Sequence, residues 1–358
     1  MGFLKELELA NKRAWTQLLR RSFRNEPHPD PVDPAGVRKI LILRLDRLGD
    51  LIVSTPLFRS LSHHLPHARI GVFGGPQNAD IVAQDPRVTW VYRRTRHPLH
   101  LLAEALRARR ECFDVLLNLN LNPSLTGSII ANVAAPRAVK VMGSEQPSVR
   151  SFYNKVLGIE RDLETPMVDH VLRFLEVFGI SPAGEDRRSY LPLGGVPTEK
   201  VERFLEREGL EPGGFIIINP FAGAAHRHLG RPLAREVAAR MREETGLPVV
   251  ILWAPGQDAA LGRMSRGFIA GPDGCSILET ALLIGRARLV ISPDTSIVHI
   301  ADAVGRPVVV IYSAVNPSYR EWFPRGAPYR AIETDGVVGE LRAEMIVGPA
   351  LELLGEMR

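Results

Sequence analysis

The fold of this protein is decided by residues 289–311, which read LVISPDTSIVHIADAVGRPVVVI. Residues 289–291 are apolar and rich in β-branched side chains, which predicts a buried strand, and Pro293 ends it. Apolar positions from 297 to 304 recur at helical spacing, Gly305 follows them, and residues 308–311 form a second apolar run. Strand, helix and strand in this order predict one repeat of a parallel α/β sheet.

The loop between that strand and helix is a candidate anion site. Either Asp294 or Thr295 can cap the helix. A helix that begins at the carboxyl edge of a parallel sheet presents free backbone N–H groups there, and α/β proteins hold phosphates and nucleotides at such places. Simple capping is the competing explanation for Asp294, and the local sequence does not decide between the two.

Length and composition limit the class of protein. A chain of 358 residues is expected to form two domains, and 45% hydrophobic with 24% charged residues is typical of a soluble globular protein. The sequence contains no apolar run of about 18 residues, so no transmembrane helix is predicted. Cys112 and Cys275 offer neither a disulfide framework nor a metal-ligand spacing, which predicts a cytoplasmic protein.

The charge balance favours acidic partners. The net charge is +5 and the isoelectric point is about 9.4, which suits a phosphorylated substrate or an anionic membrane surface. Aromatic residues are not interleaved with the basic ones, so no nucleic-acid partner is expected.

Residues 1–36 are predicted to be an extension that precedes the first domain. Within it, residues 1–24 have leucines at helical spacing and a basic opposite side, which predicts an amphipathic helix. That helix would lie either on an anionic membrane surface or on the body of the protein. The proline-rich residues 27–34 are predicted to be a linker.

Two Rossmann-like α/β domains with parallel sheets are predicted, at residues 37–190 and 191–337. In the first, apolar runs alternate with helical patterns, including a helix over 50–64 and a closing helix over 166–179. In the second, a capping box at Ser276 and Glu279 begins a helix that ends near Arg286. Residues 338–358 are predicted to form a final helix that packs back toward the first domain.

Several common site motifs are missing. No G-x-G-x-x-G follows a predicted strand, and no G-x-x-x-x-G-K-[ST] or G-x-S-x-G occurs, which disfavours standard NAD binding, P-loop phosphoryl transfer and α/β-hydrolase chemistry. No Asp-x-Asp pair is present to hold a divalent metal against a diphosphate. Sugar-nucleotide chemistry is therefore expected to need no metal and no cofactor.

A second informative stretch is residues 44–56, which read RLDRLGDLIVSTP. Gly49 permits a close backbone approach, and Asp50 then begins a helix at the carboxyl edge of the sheet. In a cleft, this carboxylate can accept a proton from a nucleophilic hydroxyl. The alternative is that Asp50 only caps the helix.

Three stretches together resemble the bacterial heptosyltransferases, glycosyltransferase family nine. Residues 44–56 are similar to the N-terminal signature of that family, residues 219–223 (NPFAG) to its second-domain loop, and residues 292–307 to its donor-binding signature. The resemblance implies a GT-B architecture, two facing Rossmann-like domains with the active site in the interdomain cleft. It also implies transfer of heptose from ADP-heptose to a hydroxyl of the lipopolysaccharide core, with inversion and without metal.

The resemblance also implies roles for individual residues. Asp50 matches the general base. Two positions depart from the family. Ser296 stands where the family has a glycine, and Asp258 is a candidate for the position at which the family has a donor-contacting glutamate. The residues that the resemblance places at the donor are Ala222, Gly223, Arg227, Asp258, Cys275, Asp294, Thr295, Ser296 and His299.

Two further clusters are candidates for the acceptor. Arg93, Arg94 and Arg96 follow a predicted strand and can meet an anionic sugar, although a solvated basic surface is the alternative for each. Asn118 and Asn120 alternate with leucines, so a strand would place both on one side, facing acceptor hydroxyls or serving a turn.

The expected function is an inverting glycosyltransferase acting on a lipid-anchored glycan, peripheral on the cytoplasmic face of the inner membrane. The rival hypotheses are a nucleotide-sugar binding protein with weak or no turnover, motivated by Ser296, and a nucleotide-sugar epimerase.

Overall fold

The computed structural model describes residue 23 and residues 25–253, 268–315 and 317–357. The predicted amphipathic helix lies outside these residues except for Phe23, and Asp258 lies outside them as well. None of the helices in the described part of the chain is long and apolar enough to cross a membrane.

The chain divides into two compact units. The first comprises residues 1–162 and 168–186, and the second comprises residues 163–167 and 187–358. The main crossing therefore falls between Asp186 and Arg187, four residues before the predicted boundary. The described part of the extension belongs to the first unit.

The described residues of the first unit form one sheet in which every pair of neighbouring strands is parallel. Its strands are β1 (Lys39–Arg44), β2 (Arg69–Gly74), β3 (Val88–Arg93), β4 (Val115–Asn118), β5 (Val139–Met142) and β6 (Lys155–Val156). Its helices are α1 (Leu48–Val53), α2 (Thr55–His64), α3 (Pro98–Arg109), α4 (Leu125–Ala134) and α5 (Met167–Leu172). The strand order is β3-β2-β1-β4-β5-β6.

The second unit repeats this architecture. Its strands are β7 (Ile216–Ile218), β8 (Val249–Ile251), β9 (Ile269–Ala270), β10 (Leu289–Pro293), β11 (Val308–Ser313) and β12 (Tyr329–Thr334). Its described helices are α6 (Glu199–Glu208), α7 (Arg231–Thr245), α8 (Ile277–Arg286), α9 (Ser296–Ala303) and α10 (Glu344–Gly355). The order β12-β11-β10-β7-β8-β9 is that of the first sheet read from the other edge. Both units are Rossmann-like, as the sequence predicts.

The predicted helix over residues 50–64 is two helices. Pro56 has no N–H to donate to the carbonyl of Ile52, so the α-helical hydrogen-bond pattern stops at Ser54. The Thr55 hydroxyl donates to that carbonyl instead, at 2.8 Å. The predicted helix over 166–179 also changes character, because α5 continues as a 3-10 helix over Arg173–Phe178 and ends at Gly179 in the left-handed conformation.

The final helix, α10, contributes to the core of the second unit. Ile346, Val347, Ala350 and Leu353 are buried in the core of the second unit, beside the strands β7, β10 and β11. Its apolar face therefore completes the core of the second unit.

The predicted linker over residues 27–34 is anchored to the first unit. The backbone N–H of His28 donates to the carbonyl of Asn154 at 3.0 Å, and that of Val32 donates to the carbonyl of Val177 at 2.7 Å. Just before it, Asn25 bonds to the buried ammonium of Lys140 at 3.0 Å. This segment is therefore a strap across the first unit, not a free connection.

Candidate active site

Each sheet has one point where the chain reverses its direction of winding, called here the switch point. It lies between β1 and β4 in the first unit and between β7 and β10 in the second. Connections leave such a pair of strands in opposite directions, which opens a crevice at the carboxyl ends. Asp50 and Asn120 follow the first pair, and residues 219–223 and 294–296 follow the second. The candidate residues that were identified from local sequence patterns therefore lie at the switch point of their own unit.

Asp50 lies in the first turn of α1 and has two partners. Its Oδ2 accepts a hydrogen bond from the backbone N–H of Arg47 at 2.8 Å, so the carboxylate does cap the helix. Its Oδ1 lies 3.5 Å from Nη2 of Arg44, and the side chain is 16% exposed. One oxygen thus caps the helix, while the other pairs with the guanidinium of Arg44.

Arg44 is itself buried, and backbone carbonyl groups hold its guanidinium in place. Its Nη1 donates to the carbonyl of Leu119 at the end of β4, and its Nε donates to the carbonyl of Asp50 at 3.3 Å. These bonds fix the guanidinium between the two strands of the switch point. Burial of such a charge is tolerated because its donors meet carboxylate and carbonyl oxygens.

Asp46 is a second carboxylate at this edge that the sequence analysis did not single out. Its Oδ2 lies 3.6 Å from Nη1 of Arg44, and it accepts a hydrogen bond from Nδ2 of Asn120. Desolvation raises the pKa of Asp46 above its usual value and outweighs the opposing effect of Arg44. The signal for it was present, since Asp46 and Asp50 stand in the same stretch at the end of β1.

The two asparagines have different surroundings. Asn118 is buried, and its Nδ2 donates to the hydroxyl of Tyr153 at 2.6 Å while its Oδ1 accepts the backbone N–H of Asn120 at 3.2 Å. Asn118 therefore bonds within the first unit, as the turn alternative expects. Strand alternation does not extend to Asn120, because β4 ends at Asn118, and Asn120 reaches Asp46 instead.

The arginine cluster is also divided. Arg93 pairs with Asp80, and its backbone N–H donates to Glu104 at 3.0 Å. Arg94 and Arg96 are exposed and form no ion pair with a carboxylate in the described residues. Arg94 lies near enough to Asp46 to lower the pKa of that carboxyl. Within this arginine cluster, the side chains available to an acceptor are therefore those of Arg94 and Arg96.

In the second unit, Asn219 joins the two switch-point loops. It is buried, and its Nδ2 donates to the hydroxyl of Ser292 and to the carbonyl of Phe221, both at 3.0 Å. The hydroxyl of Thr295 accepts from the same amide at 3.3 Å and caps α9 by accepting the backbone N–H of Ile297 at 3.2 Å. Thr295, not Asp294, is therefore the capping residue. Asn219 was quoted in the sequence but not assigned a role.

Asp294 is instead paired with Arg227. Its Oδ2 lies 2.9 Å from Nη1 of Arg227, which also donates to the Asp294 carbonyl at 3.3 Å. Gly223 lies beneath this pair, since a β-carbon there would stand 3.4 Å from Nη2 of Arg227. The carbonyl of Ala222 bonds to Nε2 of His228 at 2.9 Å. The predicted residues Ala222, Gly223, Arg227 and Asp294 are thus brought together.

The remaining donor candidates lie on two helices. Ser296 is the first residue of α9. Its φ is not positive, since among the described non-glycine residues a positive φ occurs at Cys112, so a serine at position 296 causes no backbone strain. His299 lies one turn further, buried, with its ring 5.7 Å from that of Trp322. Cys275 precedes the capping box of α8, where Ser276 and Glu279 bond reciprocally as predicted, and burial raises the pKa of its thiol.

Comparison with known proteins identifies the family and the fold. The profile of glycosyltransferase family 9 (heptosyltransferase) matches residues 100–332. The lipopolysaccharide core heptosyltransferase OpsX of Haemophilus influenzae is 23% identical over 339 residues, which cover 90% of this chain and 91% of that protein.

Two solved structures show the same fold. A family 9 glycosyl transferase from Veillonella parvula superposes with a TM-score of 0.77 at 18% identity, covering 89% of this chain and 97% of that one. Heptosyltransferase WaaC of E. coli, solved with ADP, gives a TM-score of 0.74 at 16% identity, covering 88% and 99%.

Two Rossmann-like units with polar loops at their switch points, together with these matches, define a glycosyltransferase of the GT-B class. The chain belongs to glycosyltransferase family 9, the heptosyltransferase family, which confirms the resemblance found in the sequence.

Proposed function

We propose that the protein transfers a heptose, or a closely related sugar, from an ADP-linked donor to a hydroxyl of a lipopolysaccharide core or similar glycan. The identity of the substrates is drawn from the relatives, one of which is a lipopolysaccharide core heptosyltransferase and another of which was solved with ADP. The observation that carries the chemistry is a partly exposed carboxylate, Asp50, paired with the buried Arg44 at a switch point.

In this proposal Asp50 is the general base. Its carboxylate takes the proton of the acceptor hydroxyl as that oxygen bonds to the anomeric carbon of the sugar. The bond between that carbon and the diphosphate breaks in the same displacement, so the anomeric configuration inverts and ADP leaves. Asn120, Arg94 and Arg96 contact the acceptor.

The second unit binds the donor and stabilises the leaving diphosphate. Arg227 is a partly exposed guanidinium that can bind a phosphate with two donors, and the N-terminus of α9 adds the positive end of the helix dipole. These cationic groups supply the charge compensation that a divalent metal would otherwise provide, and no metal is required in the proposal. The donor site is completed by Ser296, His299, Cys275 and Asp258.

The proposed acceptor is anchored in lipid, which places the protein at the cytoplasmic face of the inner membrane. In this setting residues 1–24 are proposed to form a basic amphipathic helix on the bilayer surface.

A transfer assay tests the proposal. Purified full-length protein is mixed with ADP-heptose, UDP-sugars or GDP-sugars, with or without a lipid A core acceptor, and the products are weighed by mass spectrometry. We expect the acceptor to gain one heptose when ADP-heptose is the donor and to gain no sugar from the UDP-sugars or GDP-sugars. Sugar conversion without acceptor would indicate an epimerase, and absence of any product would contradict the proposal.

A further inference from the structure

The outward face of α3 carries a stripe of exposed leucines. Leu99, Leu102 and Leu106 are 70%, 47% and 42% exposed. Spacings of three and four residues place them in one line along the helix. The opposite face packs into the first core through the buried Ala105 and Ala108. The leucines of the stripe are thus not needed for the contact between α3 and the sheet.

Cations surround this stripe. Six arginines and one glutamate lie between residues 93 and 110. Arg93 pairs with Asp80, and Arg107 pairs with Glu104. The arginines that form no ion pair with any carboxylate of the described chain stand at the two ends of the stripe: Arg94, Arg96, Arg109 and Arg110.

We propose that α3 docks on an anionic lipid bilayer, with its leucine stripe at the boundary between headgroups and acyl chains and with Arg109 and Arg110, at its C-terminal end, on the lipid phosphates. Apolar residues on one side of a helix with arginines at its rim are the pattern of an interfacial helix. Charge decides against a second copy of this chain as the occupant, because two such faces would bring their unpaired arginines together.

The position of α3 connects docking with the reaction. The loop of residues 94–97 leaves β3 at the carboxyl edge of the first sheet, the same edge at which Asp50 and Asn120 follow their strands. The N-terminal end of the docked helix therefore lies at the edge of the first unit that holds Asp50. The benefit for a lipid-anchored acceptor rests on the proposed function, whereas bilayer binding itself does not.

Vesicle flotation of the full-length protein, without substrates, tests the leucines. The vesicles contain phosphatidylcholine alone or mixed with phosphatidylglycerol. Burial of a leucine corresponds to roughly a tenfold change in partitioning, so Leu99→Ser should weaken binding to the mixed vesicles by up to about tenfold. The triple variant Leu99→Ser, Leu102→Ser, Leu106→Ser should abolish it. Val315→Ser is the matched control, since Val315 is 68% exposed in the second unit.

A charge pair tests the arginines. Arg109→Gln with Arg110→Gln should weaken binding to the mixed vesicles by about 25-fold and leave binding to phosphatidylcholine unchanged, because each arginine near an anionic surface contributes about 1 kcal/mol, or about fivefold. Arg203→Gln with Arg207→Gln removes the same charge from α6 and should change nothing. Circular dichroism verifies that each variant is folded.

Three results would overturn the inference. The first is that the wild-type protein stays with the unbound fraction in the presence of mixed vesicles. The second is that the triple leucine variant floats like the wild type while removal of residues 1–22 abolishes flotation. The third is that the leucine variants dissociate a dimer observed by analytical ultracentrifugation without changing flotation.

Discussion

A single buried arginine organises the candidate chemistry at the residue scale. Arg44 lies between Asp46 and Asp50 and is fixed by the backbone of the neighbouring strand. Sequence reasoning identified Asp50 and left capping and catalysis as alternatives. The structure shows that one carboxylate oxygen caps α1, which does not exclude the other from a proton transfer. The neighbouring Asp46 was missed because its significance depends on a partner, Asn120, that is distant in sequence.

Arg227 gives the first prediction. Replacement by glutamine should raise the dissociation constant for ADP about tenfold to a hundredfold, because a hydrogen bond to a charged group contributes roughly 1.5–3 kcal/mol. Isothermal titration calorimetry measures this constant. Arg240→Gln, which removes a partly exposed arginine from α7, is the control and should leave ADP binding unchanged. Equal affinities for wild type and Arg227→Gln would remove Arg227 from the donor site.

Lys140 gives a prediction about pH. Burial lowers the pKa of this lysine to about 8 from its usual 10.5, and its ammonium bonds to Asn25 and to the carbonyls of Pro136 and Ala138. Between these two pH values the unfolded chain binds a proton at Lys140 and the folded chain does not. The free energy of unfolding should therefore rise with pH across this window.

The comparison variant for this effect is Lys140→Met. The stability of the wild type relative to the variant should increase by up to roughly 3 kcal/mol from pH 8 to pH 10.5, as urea unfolding of the first unit at each pH measures. A constant difference across this range would show that Lys140 keeps an ordinary pKa in the folded protein.

At the scale of elements, the sequence predicted what local patterns control. The capping box of α8 and the strand–helix order around residues 289–311 are as expected, since both depend on neighbours a few residues away. The break at Ser54 was missed although Pro56 signalled it, because apolar periodicity continues across the break. The anchoring of residues 25–32 to the first unit was missed because their partners, Asn154 and Val177, are distant in sequence.

Two helix caps offer a matched prediction at this scale. Thr295→Ala and Ser276→Ala should each destabilise the second unit by about 1 kcal/mol, because each removes a capping hydroxyl. Thr295→Ala should in addition weaken ADP binding, since it also removes a partner of Asn219 and loosens the loop before α9. Thermal unfolding and calorimetry measure the two effects. An equal change in ADP affinity for both variants would contradict the assignment of that loop.

At the scale of the whole molecule, the alternation of strands and helices predicted two parallel α/β units but not how each core is completed. The side on which α10 packs depends on long-range burial, and no local pattern encodes it. Ile346 is fully buried in the second core, so Ile346→Ala should destabilise the second unit by about 2–5 kcal/mol and leave the first unit unchanged. Hydrogen exchange followed by mass spectrometry resolves the two units. Increased exchange in the strands β1 to β6 would contradict the packing of α10.

The most direct measurement is the single-turnover rate of heptosyl transfer by Asp50→Asn, with Asp46→Asn as its neighbour control at the same sheet edge. Removal of a general base should lower the rate by about a hundredfold or more, while the affinity for ADP stays at the wild-type value. Asp46→Asn should retain most of the rate. A wild-type rate in Asp50→Asn, or a loss confined to Asp46→Asn, would contradict Asp50 as the base.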